Sequence, residues 1–166
     1  MDSNLKRSII IDNYQNPKNR GIPNNDGYIK INSNSVSCID NIDIYVKLKD
    51  NIIEDIKYEG EACVIAISST SILSELLIGK TFDEAKIIMN NYYKMIEEQE
   101  YDKNLLGEAN VYDDIYKQPA RKSCSTIFLR GMEKIVNGTK WLVLFIVKNY
   151  GMRYNLFILG GEEYVF

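Results

Sequence analysis

The chain has 166 residues, 45% of them hydrophobic, which suits one domain with a buried core. Its 20 basic and 23 acidic side chains give a formal charge of −3, interspersed without a long like-charge block, so composition offers no electrostatic case for nucleic acid or anionic lipid. There is no histidine, which removes the commonest metal ligand and the commonest general base, and there are three cysteines.

The segment Met1–Arg7 lacks the apolar core of a signal peptide. The longest apolar run, Trp141 to Val147, is too short to span a bilayer. The chain is therefore expected to be cytoplasmic, with no membrane partner. Thiols stay reduced there, and an odd number of cysteines favours metal or redox chemistry over structural disulfides.

Residues 4–14 read as a short helix with Leu5, Ile9 and Ile10 on one side. The stretch Asn16 to Pro23 breaks regular structure, because proline removes amide donors and glycine permits positive φ. Tyr28 to Asn32 reads as a first strand. Ile42 to Lys49 is the clearest strand: Ile42, Ile44, Val46 and Leu48 alternate with Asp43, Tyr45, Lys47 and Lys49. Asp50-Asn51 is turn chemistry, and Ile52 to Glu59 returns as a hairpin partner.

The period changes after Gly60. Ile65, Ile72, Leu73, Leu76 and Leu77 predict a helix ending near Gly79. Thr81-Phe82-Asp83-Glu84 predicts a capping box, and Ala85, Ile88, Met89, Tyr92, Met95 and Ile96 continue it at helical spacing. Residues 97–106 read as a polar loop and 107–117 as a short helix. Pro119 precedes a helix over 121–136, closed by Asn137-Gly138. The expected fold is α+β: a small three-stranded antiparallel sheet with helices packed mainly on one face. Residues 1–138 form the expected domain. Residues 139–166 carry two apolar runs and read as a separate extension, either a hairpin or an aggregation-prone tail.

The chemistry lies in Cys38-Ile39-Asp40, Cys63 and Cys124. Three thiolates and one carboxylate are the right number and kind of donors for one tetrahedral zinc. Cys38 and Asp40 share a face if their segment is extended. Cys63 opens a helix, whose N-terminus favours an anion, and Cys124 lies in the first turns of the late helix. Four negative charges exceed those of zinc by two, and Arg121 and Lys122 are placed to offset the excess. The same residues, without CxxC spacing, also fit small buried hydrophobes and a turn or capping aspartate, and spacing leaves both readings open. Ser68 to Ser71, with no histidine base, read as helix packing and capping. Gly160-Gly161 lacks the context of a phosphate-binding loop.

Four motifs then occur together. Tyr14-Gln-Asn-Pro17-Lys-Asn19-Arg-Gly21, Cys38-Ile39-Asp40, Tyr58-Glu-Gly60-Glu-Ala-Cys63-Val-Ile-Ala-Ile-Ser68-Ser69-Thr-Ser71 and Pro119-Ala-Arg121-Lys-Ser123-Cys124 follow in that order. The chain resembles the IscU/NifU family of iron–sulfur cluster assembly proteins, and within it the SufU branch. Ser123 stands where IscU-type members place histidine, and residues 90–115 resemble the SufU insertion. The resemblance implies a SufE/IscU-like fold and zinc held by Cys38, Asp40, Cys63 and Cys124. It implies a zinc-dependent sulfurtransferase in which Cys38 leaves the zinc to take persulfide sulfur from a cysteine desulfurase, a pyridoxal-phosphate enzyme. Arg121 is expected to give electrostatic support in catalysis, and downstream iron–sulfur assembly proteins are the expected recipients. An iron–sulfur cluster built on the same ligands, or a degenerate member with a structural zinc, are the alternatives. Ile39 and Ala62 stand where the family has glycine, and Ala66 where it has serine.

Overall fold

The computed structural model describes residues 1–35 and 39–136. Cys38, the Asn137-Gly138 cap, the apolar runs of the tail and the boundary expected after residue 138 all lie outside the described residues.

The elements run α1 (Ser3–Gln15), β1 (Tyr28–Asn34), β2 (Asn41–Lys49), β3 (Ile52–Glu61), α2 (Val64–Leu77), α3 (Phe82–Ile96) and α4 (Pro119–Ser125). A last helix, α5, covers residues 127–136. The sheet is antiparallel in the order β1-β2-β3. This is the α+β architecture expected from strands first and helices afterwards.

The alternation in β2 works as a one-sided sheet requires. Ile42, Ile44 and Val46 are fully buried, together with Ile53, Ile56 and Tyr58 of β3. Leu48 is only half-buried, because the register shifts between Lys47 and Leu48. The bulge accommodates an extra residue on β3 and turns the strand end away from the core. The turn is tight: Asp50 and Asn51 both take positive φ, 49° and 66°, as a primed hairpin turn demands.

Helices cover the apolar face. α5 lies so close to the sheet that a Cβ on Gly131 would stand 2.4 Å from Ile44 Cδ1. Ser33 of β1 donates to the Ile127 carbonyl at 2.7 Å. α1 packs along α2. The capping box of α3 forms in full: the Thr81 hydroxyl accepts from the Glu84 amide, and Glu84 accepts from the Thr81 amide at 2.8 Å.

Two expected elements differ in kind. Residues 107–117 are not an α-helix but two 3-10 turns, Gly107–Tyr112 and Ile115–Lys117, preceded by another at Lys103–Leu105. The buried positions Leu106, Ala109, Tyr112 and Ile115 recur every three residues, the period of a 3-10 helix. The helix expected over 121–136 begins at Pro119, whose missing amide is harmless in a first turn, and is interrupted at Thr126.

This insertion is tied to α1. Lys6 pairs with both Asp113 and Asp114, and Lys117 pairs with Asp114. Hydrogen bonds from Lys117 and Lys6 pull the Asp114 carboxyl from 3.8 to about 2. A lowered acid stabilises the fold when ionised, so this contribution is complete above the unfolded value of 3.8 and vanishes as pH falls through about 2. Asp114→Asn should therefore be less stable than wild type at neutral pH. The difference should close between pH 4 and 2 in acid unfolding followed by circular dichroism; a gap that persists at pH 2 would contradict this.

Gly60 shapes the site end of the sheet. Its φ is +146°, and a Cβ there would lie 2.2 Å from the Asn41 carbonyl oxygen. Neither the conformation nor the space admits a side chain. Gly60→Ala should lose about 1–3 kcal/mol in denaturant unfolding. An unchanged midpoint would show that the two strand ends can part at no cost.

Candidate metal centre

Three elements bring their donors to one place. Asp40 immediately precedes β2, Cys63 is the residue before α2, and Cys124 lies in α4. Asp40 is 1% exposed and Cys124 fully buried, while Cys63 is half-buried. A carboxylate so deep must be compensated. The Cys63 amide donates to Asp40 Oδ1 at 2.8 Å, and the Cys63 thiol donates to Asp40 Oδ2 at 3.4 Å. Cys63 gives α2 no side-chain cap of its own, so Asp40 supplies it from across the sheet. Cys124 Sγ lies 3.8 Å from the Ala120 carbonyl, one turn earlier.

A ligand oxygen of Asp40 and the sulfurs of Cys63 and Cys124 all lie within 4.8 Å of one another. No other group of three histidine, cysteine or acidic side chains gathers this way among the described residues. Zinc–sulfur bonds of about 2.3 Å and zinc–oxygen bonds of about 2.0–2.2 Å put tetrahedral donors roughly 3.5–3.8 Å apart. The donor set therefore fits zinc by type, and by spacing to within about 1 Å.

Surrounding groups hold this arrangement. Tyr112 exchanges a 2.6 Å hydrogen bond with Ser68, whose hydroxyl also donates to the Val64 carbonyl at the start of α2. Burial pushes the Tyr112 phenol up, so this ring stays neutral. A surface hollow of about 360 Å³ beside the site is lined by Ile39, Asn41, Asp43, Glu59, Gly60 and Glu61. Ile39, which stands where the family has glycine, is 92% exposed there. A larger hollow, about 520 Å³ between Lys18, Glu75, Lys80 and Glu108, contains none of the candidate ligands.

Of the two cations expected to offset the excess charge, Lys122 is engaged elsewhere. Lys122 Nζ is bound to Glu97 Oε2 at 2.7 Å, so its charge serves the end of α3 and not the cysteines. Arg121 is exposed, with its amide bonded to the Gln118 carbonyl. Arg130, unnoticed in the sequence, instead donates to the carbonyl of Ser123, the residue before Cys124.

The first motif is structural. Asn19 takes φ 62°, its carbonyl accepts from the Tyr58 amide, and the Gly21 amide donates to the Tyr58 carbonyl, adding a short edge to β3. Lys18 and Asn19 also donate to Ser71 and Ser74 of α2. The serines of that helix are thus packing and anchoring groups.

An α+β fold thus gathers two thiols and a carboxylate, from the sheet end, the start of α2 and the last turn of α4, into one candidate metal site. Residues 5–125 match the NifU-like N terminal domain, and the chain belongs to this IscU/NifU-like family. It is 34% identical over 131 residues, 78% of this chain and 88% of the relative, to the zinc-dependent sulfurtransferase SufU of Bacillus subtilis. It is 29% identical over 135 residues, 81% of this chain and 84% of the relative, to the iron–sulfur cluster assembly scaffold protein IscU of Streptococcus pyogenes. The solved structure of the SUF-system protein FiSufU from Fervidobacterium islandicum superposes with a TM-score of 0.66 at 30% identity, covering 75% of this chain and 91% of that one. A NifU-like protein from Brucella abortus shares the fold, with a TM-score of 0.70 at 17% identity over 84% of this chain and 99% of that one.

Proposed function

We propose that the protein serves iron–sulfur cluster assembly as a zinc-dependent sulfur acceptor, taking persulfide sulfur from a cysteine desulfurase onto Cys38. The convergence of Asp40, Cys63 and Cys124 within 4.8 Å carries this reading. Cys38 is the fourth ligand. It stands two residues from Asp40, so its α-carbon is at most about 7 Å away along the chain. The likeness to the Bacillus subtilis sulfurtransferase supports the assignment.

Zinc, when bound, keeps its cysteines as thiolates at neutral pH. Asp40 fixes Cys63 through its amide, so the helix start and the strand entry move as one. The Cys38 thiolate attacks the outer sulfur of the desulfurase persulfide. A sulfur–sulfur bond forms to Cys38, the one within the desulfurase persulfide breaks, and its electron pair leaves on the desulfurase thiolate. The exchange is redox-neutral and needs no added electron donor. Arg121, exposed one turn before Cys124, is the residue assigned electrostatic support in this transfer. The pyridoxal phosphate belongs to the partner.

Protein purified without oxygen should hold about one zinc per chain and should raise the turnover of a cysteine desulfurase. Iron with visible absorbance would favour a cluster scaffold instead, in keeping with the IscU relatives. Bound zinc without desulfurase stimulation would leave a structural site only.

A further inference from the structure

We propose that Arg130 is a positioning residue for the metal centre, clasping the turn that carries Cys124 to the end of β1, next to the residue bonded to Asp40. The inference rests on the zinc reading above. Arg130 Nη1 donates to the Ser123 carbonyl at 3.0 Å and to the Thr126 hydroxyl at 2.8 Å. Its Nη2 reaches the Asn34 carbonyl, 3.4 Å away, at the end of β1. One guanidinium thus joins the end of α4 to the end of β1, whose Asn34 is 96 residues from Arg130 in sequence.

One segment adjoins a ligand and the other is joined to one by a backbone hydrogen bond. Ser123 directly precedes Cys124. Asn34 directly precedes Ser35, whose amide donates to the Asp40 carbonyl at 2.9 Å. The two segments meet a second time, because the hydroxyls of Ser35 and Ser123 are 3.1 Å apart. Ser123 occupies the position where the resemblance placed a histidine. Here it serves as the contact between the halves of the site.

The break at Thr126 exposes the carbonyl that the clasp uses, which the Thr126 hydroxyl also approaches at 3.5 Å. An interrupted helix leaves carbonyls of its last turn needing donors. The helix resumes at 127, and Arg130 reaches back across the break to supply one. A planar fork of five donors can serve Ser123 and Asn34 together, whereas a lysine ammonium on a flexible stem acts as a point charge and cannot bridge both in fixed geometry.

Cobalt(II) tests this, since its visible bands report the geometry of a tetrahedral thiolate site. The full chain, reduced and metal-free, is titrated with cobalt and then with zinc in competition. Arg130→Met should weaken metal binding about 10–100-fold, the usual effect of losing an outer partner of the ligands, and should shift the visible bands. Arg130→Lys should fall between, with the unfolding midpoint of its metal-free form near that of wild type. Wild-type affinity and unshifted bands in both variants would overturn the proposal. If Arg130→Met does not fold, Arg130→Lys decides by the same criterion. Wild-type protein that takes up no cobalt would sink the zinc reading and this inference with it; a binding wild type with unaltered variants sinks this inference alone.

Discussion

Asp40→Ala is expected to lose zinc and part of the fold together. The carboxylate does two jobs at 1% exposure: it is a candidate ligand, and it caps α2 by accepting from the Cys63 amide at 2.8 Å. Without it the part-buried amide loses its partner, at a cost of about 1 kcal/mol. Metal affinity should drop by at least the 10–100-fold that loss of an outer-shell partner alone causes. Asp40→Asn separates the two jobs. Its amide oxygen can still accept from Cys63, so the metal-free protein should recover most of its stability while zinc affinity stays low. Denaturant unfolding of metal-free protein and zinc competition with a chelator read the two effects. Wild-type zinc affinity in both variants would remove Asp40 from the ligand set.

Cys38→Ala should abolish function without dismantling the domain. The described flanks are joined without it, the Ser35 amide donating to the Asp40 carbonyl at 2.9 Å. The desulfurase rate in the presence of this variant should fall to that of the desulfurase alone. No persulfide should appear on the variant by mass spectrometry. The unfolding midpoint of the metal-free form should match wild type. Full stimulation by Cys38→Ala would transfer the acceptor role to Cys63 or Cys124. Cys124, fully buried within α4, is the less able of the two to meet a partner.

The sequence displayed the sheet and α3 plainly because one local rule governed each. Alternation in Ile42 to Val46 set the buried face, and Thr81 with Glu84 fixed a helix start to the residue. It hid the insertion because two periods compete there. Leu106, Ala109, Tyr112 and Ile115 repeat every three residues, which is the 3-10 spacing, but a window assuming 3.6 residues per turn reads them as a weak α-helix.

The site was legible in part. Residue type alone nominated Cys63, Asp40 and Cys124, and the four motifs in order outweighed the reading of scattered buried cysteines. What sequence could not supply was which cation serves which group. Arg121 and Lys122 are nearest Cys124 along the chain, but helix geometry turns Lys122 to Glu97. Arg130, six residues beyond Cys124, reaches back across the break at Thr126 to the residue before it. Helix breaks of this kind carry no strong signal when threonine sits where an α-helix tolerates it. Gly60 had a signal that sequence reading passed over: a glycine inside a strand often marks close approach of another backbone, here Asn41.

Zinc K-edge X-ray absorption on protein purified without oxygen tests the shared cation most directly. The account predicts three sulfur neighbours at about 2.3 Å and one oxygen at about 2.0–2.2 Å, with one sulfur lost in Cys38→Ala. A first shell of oxygens and nitrogens without sulfur, or one unchanged when Cys38, Cys63 or Cys124 is replaced, would contradict it.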